Sequence, residues 1–229
     1  MTTETPTHVG IIFDGNRRWV KARGLDPWEG HKVGIETLDR TIRHAIERGI
    51  KYVTVYGFST ENWKRSPAEV QFLMEFFERT LRERGDEWRE QGVRLRHLGQ
   101  LDRLPTTLQA LIEQRVAESA TASTLTFGLC LSYGGRDEIV RAVQRLVDRG
   151  LSAAEVTEEA IDGALDSAGS PDPDLIIRTS GEQRLFGFLT WQSIYSELYF
   201  TSTPWPDFDQ AAFDEALLWY AERQRRYGA

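Results

Sequence analysis

Apolar and polar positions along this chain switch repeatedly between two spacings. Residues 8–13, HVGIIF, are apolar almost without a break and predict a buried strand. Residues 25–49 then change to helical spacing. Ile35, Leu38, Ile42 and Ile46 share one face, Asp26 suits the cap, Pro27 the first turn, Glu29 a capping box, and Gly49 the end. KYVTVYGF (51–58) is the next strand. Residues 66–85 repeat the start signal with Ser66, Pro67 and Glu69, and Gly85 marks the end of that helix. A short strand over 93–99, a helix over 105–120 and a strand over 124–132 follow. Beyond Gly134-Gly135 the spacing predicts a helix to about Arg149, then a weaker one over 157–167. DLIIRTS (174–180) and SELYFT (196–201) read as the last two strands. Asp209 caps a C-terminal helix carrying Phe213, Leu217 and Tyr220.

Near-continuous apolar strands separated by helices predict an α/β protein, a single domain over residues 1–229 with a central six-stranded, mainly parallel sheet flanked by helices. In such sheets ligands gather at the carboxyl ends of the strands. Asp14 follows strand one, Ser59-Thr60-Glu61-Asn62 follow strand two, and Arg178 ends a late strand. The polar clusters are therefore expected to face one crevice.

Composition narrows the chemistry. At 229 residues with 40% hydrophobic and 11% aromatic content, the chain suits one large globular domain. A net charge of −7 argues against a broad nucleic-acid surface, so an anionic ligand has to be held by local arginines. No apolar run is long enough to span a bilayer, and MTTETPTH lacks the features of a signal peptide, so the expected compartment is the cytoplasm. Cys130 is the only cysteine, which excludes an intrachain disulfide, and its setting in LTFGLCLS reads as packing. His8, His31, His44 and His97 show no zinc-ligand spacing.

In DGNRRW, Asp14 reads either as a turn residue or as a ligand for Mg2+, the usual bridge between a carboxylate and a phosphate. Arg17 and Arg18 could neutralise phosphate charge, and Gly15 lets the backbone approach a ligand. Arg178 and Arg184 form a second basic set suited to another diphosphate, or are two unrelated surface arginines. The helix from 66 to 84, with Val70, Phe72, Leu73, Met74, Phe76 and Phe77, is either core, a dimer contact or one wall of an oily cleft. No P-loop, GxGxxG or nucleophile elbow competes. The residues alone lead to a phosphate-binding α/β enzyme for a lipid-like substrate.

HVGIIFDGNRRW, GHKVG, YGFSTENWKRSPAEV, SYGGRDEI, DLIIRTSGEQRLFGF, SELYFT and WPDF occur in this order. In these motifs the chain strongly resembles the cis-prenyltransferases, the undecaprenyl diphosphate synthase family, from His8 to Gly228. The resemblance implies a homodimer with a hydrophobic tunnel. It implies condensation of isopentenyl diphosphate with an allylic diphosphate to create a Z double bond. It marks Asp14 as the Mg2+-handling aspartate and Glu197 as the second acidic ligand. Gly15, Asn16, Arg17, Arg18 and Trp19 belong to the motif that holds the allylic diphosphate, with Asn16 also in proton removal. His31 and Ser59 match the same polar network. Thr60, Glu61, Asn62, Trp63 and Arg65 fall in the segment that closes over substrate. Arg178 and Arg184 match the isopentenyl diphosphate binders, and Arg226-Tyr227-Gly228 matches a motif reaching across the dimer.

The chain departs from the family pattern at several places. Pro27 stands where many relatives carry an arginine, and Arg17 where bacterial relatives often carry glycine. Phe186 replaces a serine that binds diphosphate, Gly187 replaces asparagine, and Leu131-Ser132 replace Ala-Asn. A large Leu131 is expected to narrow the cleft and Gly57 to widen another part, on balance giving a short or medium chain. A long product would bring transient contact with a membrane surface. A lavandulyl-type branching or cyclising synthase and a non-catalytic partner subunit are the rival readings.

Overall fold

A computed structural model describes residues 5–223, apart from the side chains of residues 27, 28 and 31. Its elements in chain order are β1 (His8–Ile12), α1 (Asn16–Arg23), α2 (Pro27–Glu47), β2 (Tyr52–Ser59), α3 (Pro67–Glu90), β3 (Val93–Leu98), α4 (Thr106–Glu118), β4 (Leu125–Tyr133), α5 (Gly135–Asp148), α6 (Glu158–Asp162), β5 (Leu175–Arg178), β6 (Glu197–Phe200) and α7 (Gln210–Ala221). The six strands form one sheet in the order β3-β4-β2-β1-β5-β6, and every pairing is parallel. Among the described residues no helix is long and apolar enough to cross a membrane.

Parallel strands are covered on both faces, which is why their sequences do not alternate. Val9, Ile11, Val53, Val55, Phe127, Leu129, Leu175 and Ile177 enter the main core, whereas Ile12, Tyr56, Cys130 and Ile176 pack with Phe188 and Leu189. Cys130 is fully buried, and burial pushes its thiol well above the usual range, as a packing residue requires. Register puts Ile12 beside Arg178, so β1 and β5 end side by side.

Three boundaries differ from expectation, each for a packing reason. Helix α1 is a separate element, closed by Gly24 in the left-handed conformation. It is only eight residues long and buries Val20 alone, too little to show a period. It lies on α2 where Gly30 and Gly34 remove two side chains. A Cβ at Gly30 would stand 2.5 Å from Val20, and one at Gly34 3.3 Å from Asn16 Oδ1. Helix α3 starts as expected, with Ser66 Oγ accepting from the Glu69 N–H, but runs through Gly85 to Glu90. That glycine is a clearance: a Cβ there would sit 2.6 Å from the Arg115 side chain on α4. The weak helix over 157–167 shrinks to α6, because Ala164 and Leu165 turn inward against Ala142 and Leu146.

His8 is buried at 3% exposure, its Nδ1–H donating to the Pro171 carbonyl (2.7 Å) and its Nε2 accepting from the Thr54 hydroxyl (2.8 Å). Burial lowers its pKa from 6.5 to about 4. The unfolded chain therefore takes up a proton that the fold resists. Stability from this residue is complete above pH 6.5 and is lost as pH falls towards 4, by up to about 3 kcal/mol. Urea unfolding across that window should show the loss, and His8→Gln should flatten the slope by a comparable amount.

Candidate active site

The turn after β1 is built by hydrogen bonds before any ligand arrives. The Asp14 N–H donates to Thr179 Oγ1 (2.9 Å), and that hydroxyl donates back to the Asp14 carbonyl (2.8 Å). The Trp205 N–H donates to the same carbonyl at 3.0 Å. Gly15 then adopts φ 104°, and a Cβ there would lie 2.6 Å from Ser180 Oγ and 3.2 Å from Pro204 Cα. Conformation and clearance both demand glycine. Its N–H donates to Asp14 Oδ1 at 2.7 Å, which orients the carboxylate.

Arg178, at the tip of β5, is 4% exposed. It donates to Asp14 Oδ2 at 3.0 Å and to the Arg184 carbonyl. Its Nε has no partner, and neither does the buried Asn16 Oδ1. Ser59 Oγ is a third such atom, and because buried polar atoms are nearly always paired, three orphans lining one cavity mark a place where a polar ligand completes the bonding.

That cavity has a volume of about 710 Å³. Its polar wall includes Asp14, Gly15, Asn16, Arg17, Arg18, Ser59, Asn62, Arg65, Glu69, Arg178 and Arg184. The rest is largely apolar, with α3 supplying Phe72, Leu73, Phe76, Phe77, Leu81 and Trp88. The lining residues of α3 run from Glu69 to Trp88, about 28 Å at the helical rise. Two of the alternatives for this helix hold together: Leu73, Phe77, Leu81 and Trp88 belong to the core and also line the cavity, while Met74 belongs to the core alone.

Not every expected residue reaches the cavity. The Trp19 indole N–H donates to Asp207 (2.7 Å) under the Arg23 guanidinium, away from the lining. Thr60 fits against Gly134, Glu61 is exposed, and the Trp63 indole N–H donates to Ser132 Oγ (2.9 Å) with its ring edge-on to Phe58. These four shape the surrounding loops instead. The His31 side chain and Arg226, Tyr227 and Gly228 lie outside the described residues.

Glu197, expected as the second acidic ligand, stands apart from Asp14 of the same chain. It starts β6 opposite Leu175, three residues before the strand tip where Phe200 meets Arg178. That separates it from the turn by about 10 Å along the strands and another 10 Å across two strand spacings. No single ion bonded at about 2.1 Å can touch both carboxylates of one chain. Among the described residues no group of three or more His, Cys, Asp or Glu could form a metal cage. Mg2+ is commonly held by one or two carboxylates with substrate phosphates and water, and the part-exposed Asp14 carboxylate fits that role.

Residues 12–228 match the family described as "Putative undecaprenyl diphosphate synthase". The chain belongs to this family. An isoprenyl transferase of Aquifex pyrophilus is 43% identical, covering 100% of this chain and 98% of its own length. One from Agrobacterium fabrum is 46% identical over 98% and 92%. Among solved structures, lavandulyl diphosphate synthase from Lavandula x intermedia, in complex with dimethylallyl diphosphate, superposes with TM-score 0.94 at 37% identity, covering 98% and 99%. A "probable undecaprenyl diphosphate synthase" from Campylobacter jejuni gives 0.85 at 31%, covering 99% and 100%. The protein is a prenyltransferase of isoprenoid biosynthesis with the six-stranded parallel architecture of its family.

The departures from the family pattern now have positions. Phe186 lies on the cavity wall with φ 54°, its carbonyl accepting from the Tyr56 hydroxyl (3.3 Å), and the Gly187 carbonyl accepts from the Gly135 N–H (2.7 Å). Backbone bonds therefore hold this loop, and Tyr56 is a lining residue that its strand position gave no reason to single out. Leu131 does not line the cavity. Its Cδ2 lies 2.8 Å from where a Cβ on Gly57 would sit, so the two residues fill one space and do not act on separate parts of the cleft. Gly57→Ala should cost about 1–3 kcal/mol by overpacking, and less in a Leu131→Ala background. A double-mutant cycle in urea, with purely additive costs as the contrary outcome, checks this contact.

Proposed function

We propose that the protein is an Mg2+-dependent cis-prenyltransferase. It condenses isopentenyl diphosphate with an allylic diphosphate (dimethylallyl, geranyl or farnesyl) to a Z-configured prenyl diphosphate. The observation that carries this reading is the Arg178–Asp14 pair, with its unpartnered Nε, opening into a long apolar cavity. The isoprenyl transferase relatives and the motif resemblance support it.

In this reaction the allylic C1–O bond breaks and the diphosphate leaves with the electron pair. A new C1–C4 bond forms to isopentenyl diphosphate, whose C2 loses a proton to the released diphosphate. Charge grows on the departing oxygen, where preplaced cations act most strongly because they need no reorganisation. Arg17 and Arg18 receive the allylic diphosphate, and Arg178 and Arg184 the other. Bound Mg2+ supplies charge neutralisation of the departing diphosphate, with Asp14 as its protein ligand. Asn16 Oδ1, buried and unpaired, is the acceptor beside the proton that is lost. The hydrocarbon occupies the apolar part of the cavity as a tunnel, and the product is a short or medium chain. Exposed Val140, Val143 and Val147 on one face of α5, with Ile194, Tyr195 and Leu198 at or near edge strand β6, support a homodimer.

The similarity to lavandulyl diphosphate synthase, together with Phe186 where a hydroxyl is usual, favours a second reading as a branching synthase joining two allylic units. Purified protein with Mg2+, isopentenyl diphosphate and each allylic diphosphate should yield linear Z-prenyl products by mass spectrometry and NMR. Product from dimethylallyl diphosphate alone would select the branching reaction. Asp14→Ala should lower turnover by about a hundredfold or more. Retained turnover would remove Asp14 from the mechanism.

A further inference from the structure

An alternating chain of charge crosses the mouth of the cavity. Arg178 donates to Asp14 at 3.0 Å, and Asp14 lies 3.8 Å from Arg18. Arg18 lies 3.7 Å from Glu182, and Glu182 accepts from Arg184 at 2.5 Å. Glu182 is the one member that does not line the cavity, and the proposed reaction gives it no task. Its two oxygens face different arginines, Oε1 towards Arg18 and Oε2 towards Arg184. One of those arginines lies in the first turn of α1, the other in the loop after β5.

Neither arginine needs a partner on grounds of burial, since their side chains are 56% and 59% exposed. An exposed guanidinium spends most of its time hydrated and mobile, and an ion pair at such a site is worth little to stability. A carboxylate that reaches both arginines therefore has its main effect on where those arginines stand. For a guanidinium, carboxylate and phosphate oxygens are equivalent partners, and both can accept in the bidentate geometry. A diphosphate carrying about three negative charges displaces a single exposed carboxylate.

We propose that Glu182 is a resident anion shared by two diphosphate subsites. It holds Arg18 and Arg184 at the mouth of the empty site, yields them to an arriving diphosphate, and reclaims them as the diphosphate leaves. The inference rests on the two-diphosphate reading of the cavity. It has a definite sign: Glu182 weakens diphosphate binding and favours release, opposite to the effect of a residue that merely supports the arginines.

Glu182→Gln removes the charge and keeps the shape. Titration calorimetry with inorganic diphosphate, with and without Mg2+, is expected to show about three- to tenfold tighter binding than the unsubstituted protein at low ionic strength. The gain should collapse in molar salt, where exposed charges are screened. Glu182→Asp keeps the charge on a shorter arm that cannot span both arginines, and its affinity should fall between the two. Unchanged or weaker binding in either variant, or a gain insensitive to salt, overturns the proposal. No prenyl chain enters this titration. A purified protein that failed to transfer prenyl groups would sink the transferase reading and leave this measurement to stand or fall by itself.

Discussion

A guanidinium buried at the end of a central strand requires an anion, and in this protein Asp14 meets Arg178 at 3.0 Å. Removing Asp14 leaves the buried Arg178 guanidinium without its anion, a loss that water from the cavity offsets only in part. The remainder of the site is arranged around that pairing. Because Ile12 and Arg178 are register partners, the two residues are brought together by the sheet itself. The Thr179 hydroxyl and the Trp205 N–H then fix the backbone of Asp14, and Gly15 provides the reversal that starts α1. A carboxylate so constrained has little freedom to lose when substrate arrives, the condition for electrostatic preorganisation.

The oily half of the site follows from an unusual demand on one helix. Helix α3 buries Leu73, Phe77, Leu81 and Trp88, and the same side chains border the cavity. The Trp88 indole N–H donates to Asp39, whose carboxyl is raised by burial and which lies 3.0 Å from Arg84. A polar anchor thus fixes a large aromatic side chain at the end of α3 remote from Asp14. The charged mouth and the apolar interior belong to one continuous cavity because the tips of β1, β2 and β5 stand next to the start of α3.

Where local signals agreed with packing, they were readable. The Ser66-Pro67-Glu69 start of α3 and the Asp209 cap of α7, whose carboxylate accepts from the Ala212 N–H, operate as their spacing implies. Where a residue had two possible meanings, neither spacing nor motif chose between them. Gly85 resembles a stop but makes room for Arg115, and Trp19 and Trp63 sit in site motifs yet bond to Asp207 and Ser132. Glu182 lay inside a quoted motif but was given no role there, because its significance lies in reaching both Arg184 in its own loop and Arg18 on α1.

The chain by itself determined the strand and helix succession, the parallel sheet that such apolar strands require, and the polar clusters at the strand tips. Those are short-range properties, set by period, caps and the burial that each segment needs. Only the tertiary structure decided that Arg178 bonds Asp14, that Glu197 stands at the far end of its strand, and that Leu131 occupies the space over Gly57. Each of these depends on strand register and close approach between segments more than 20 residues apart. No local pattern encodes such distances; they emerge when the whole core is packed at once.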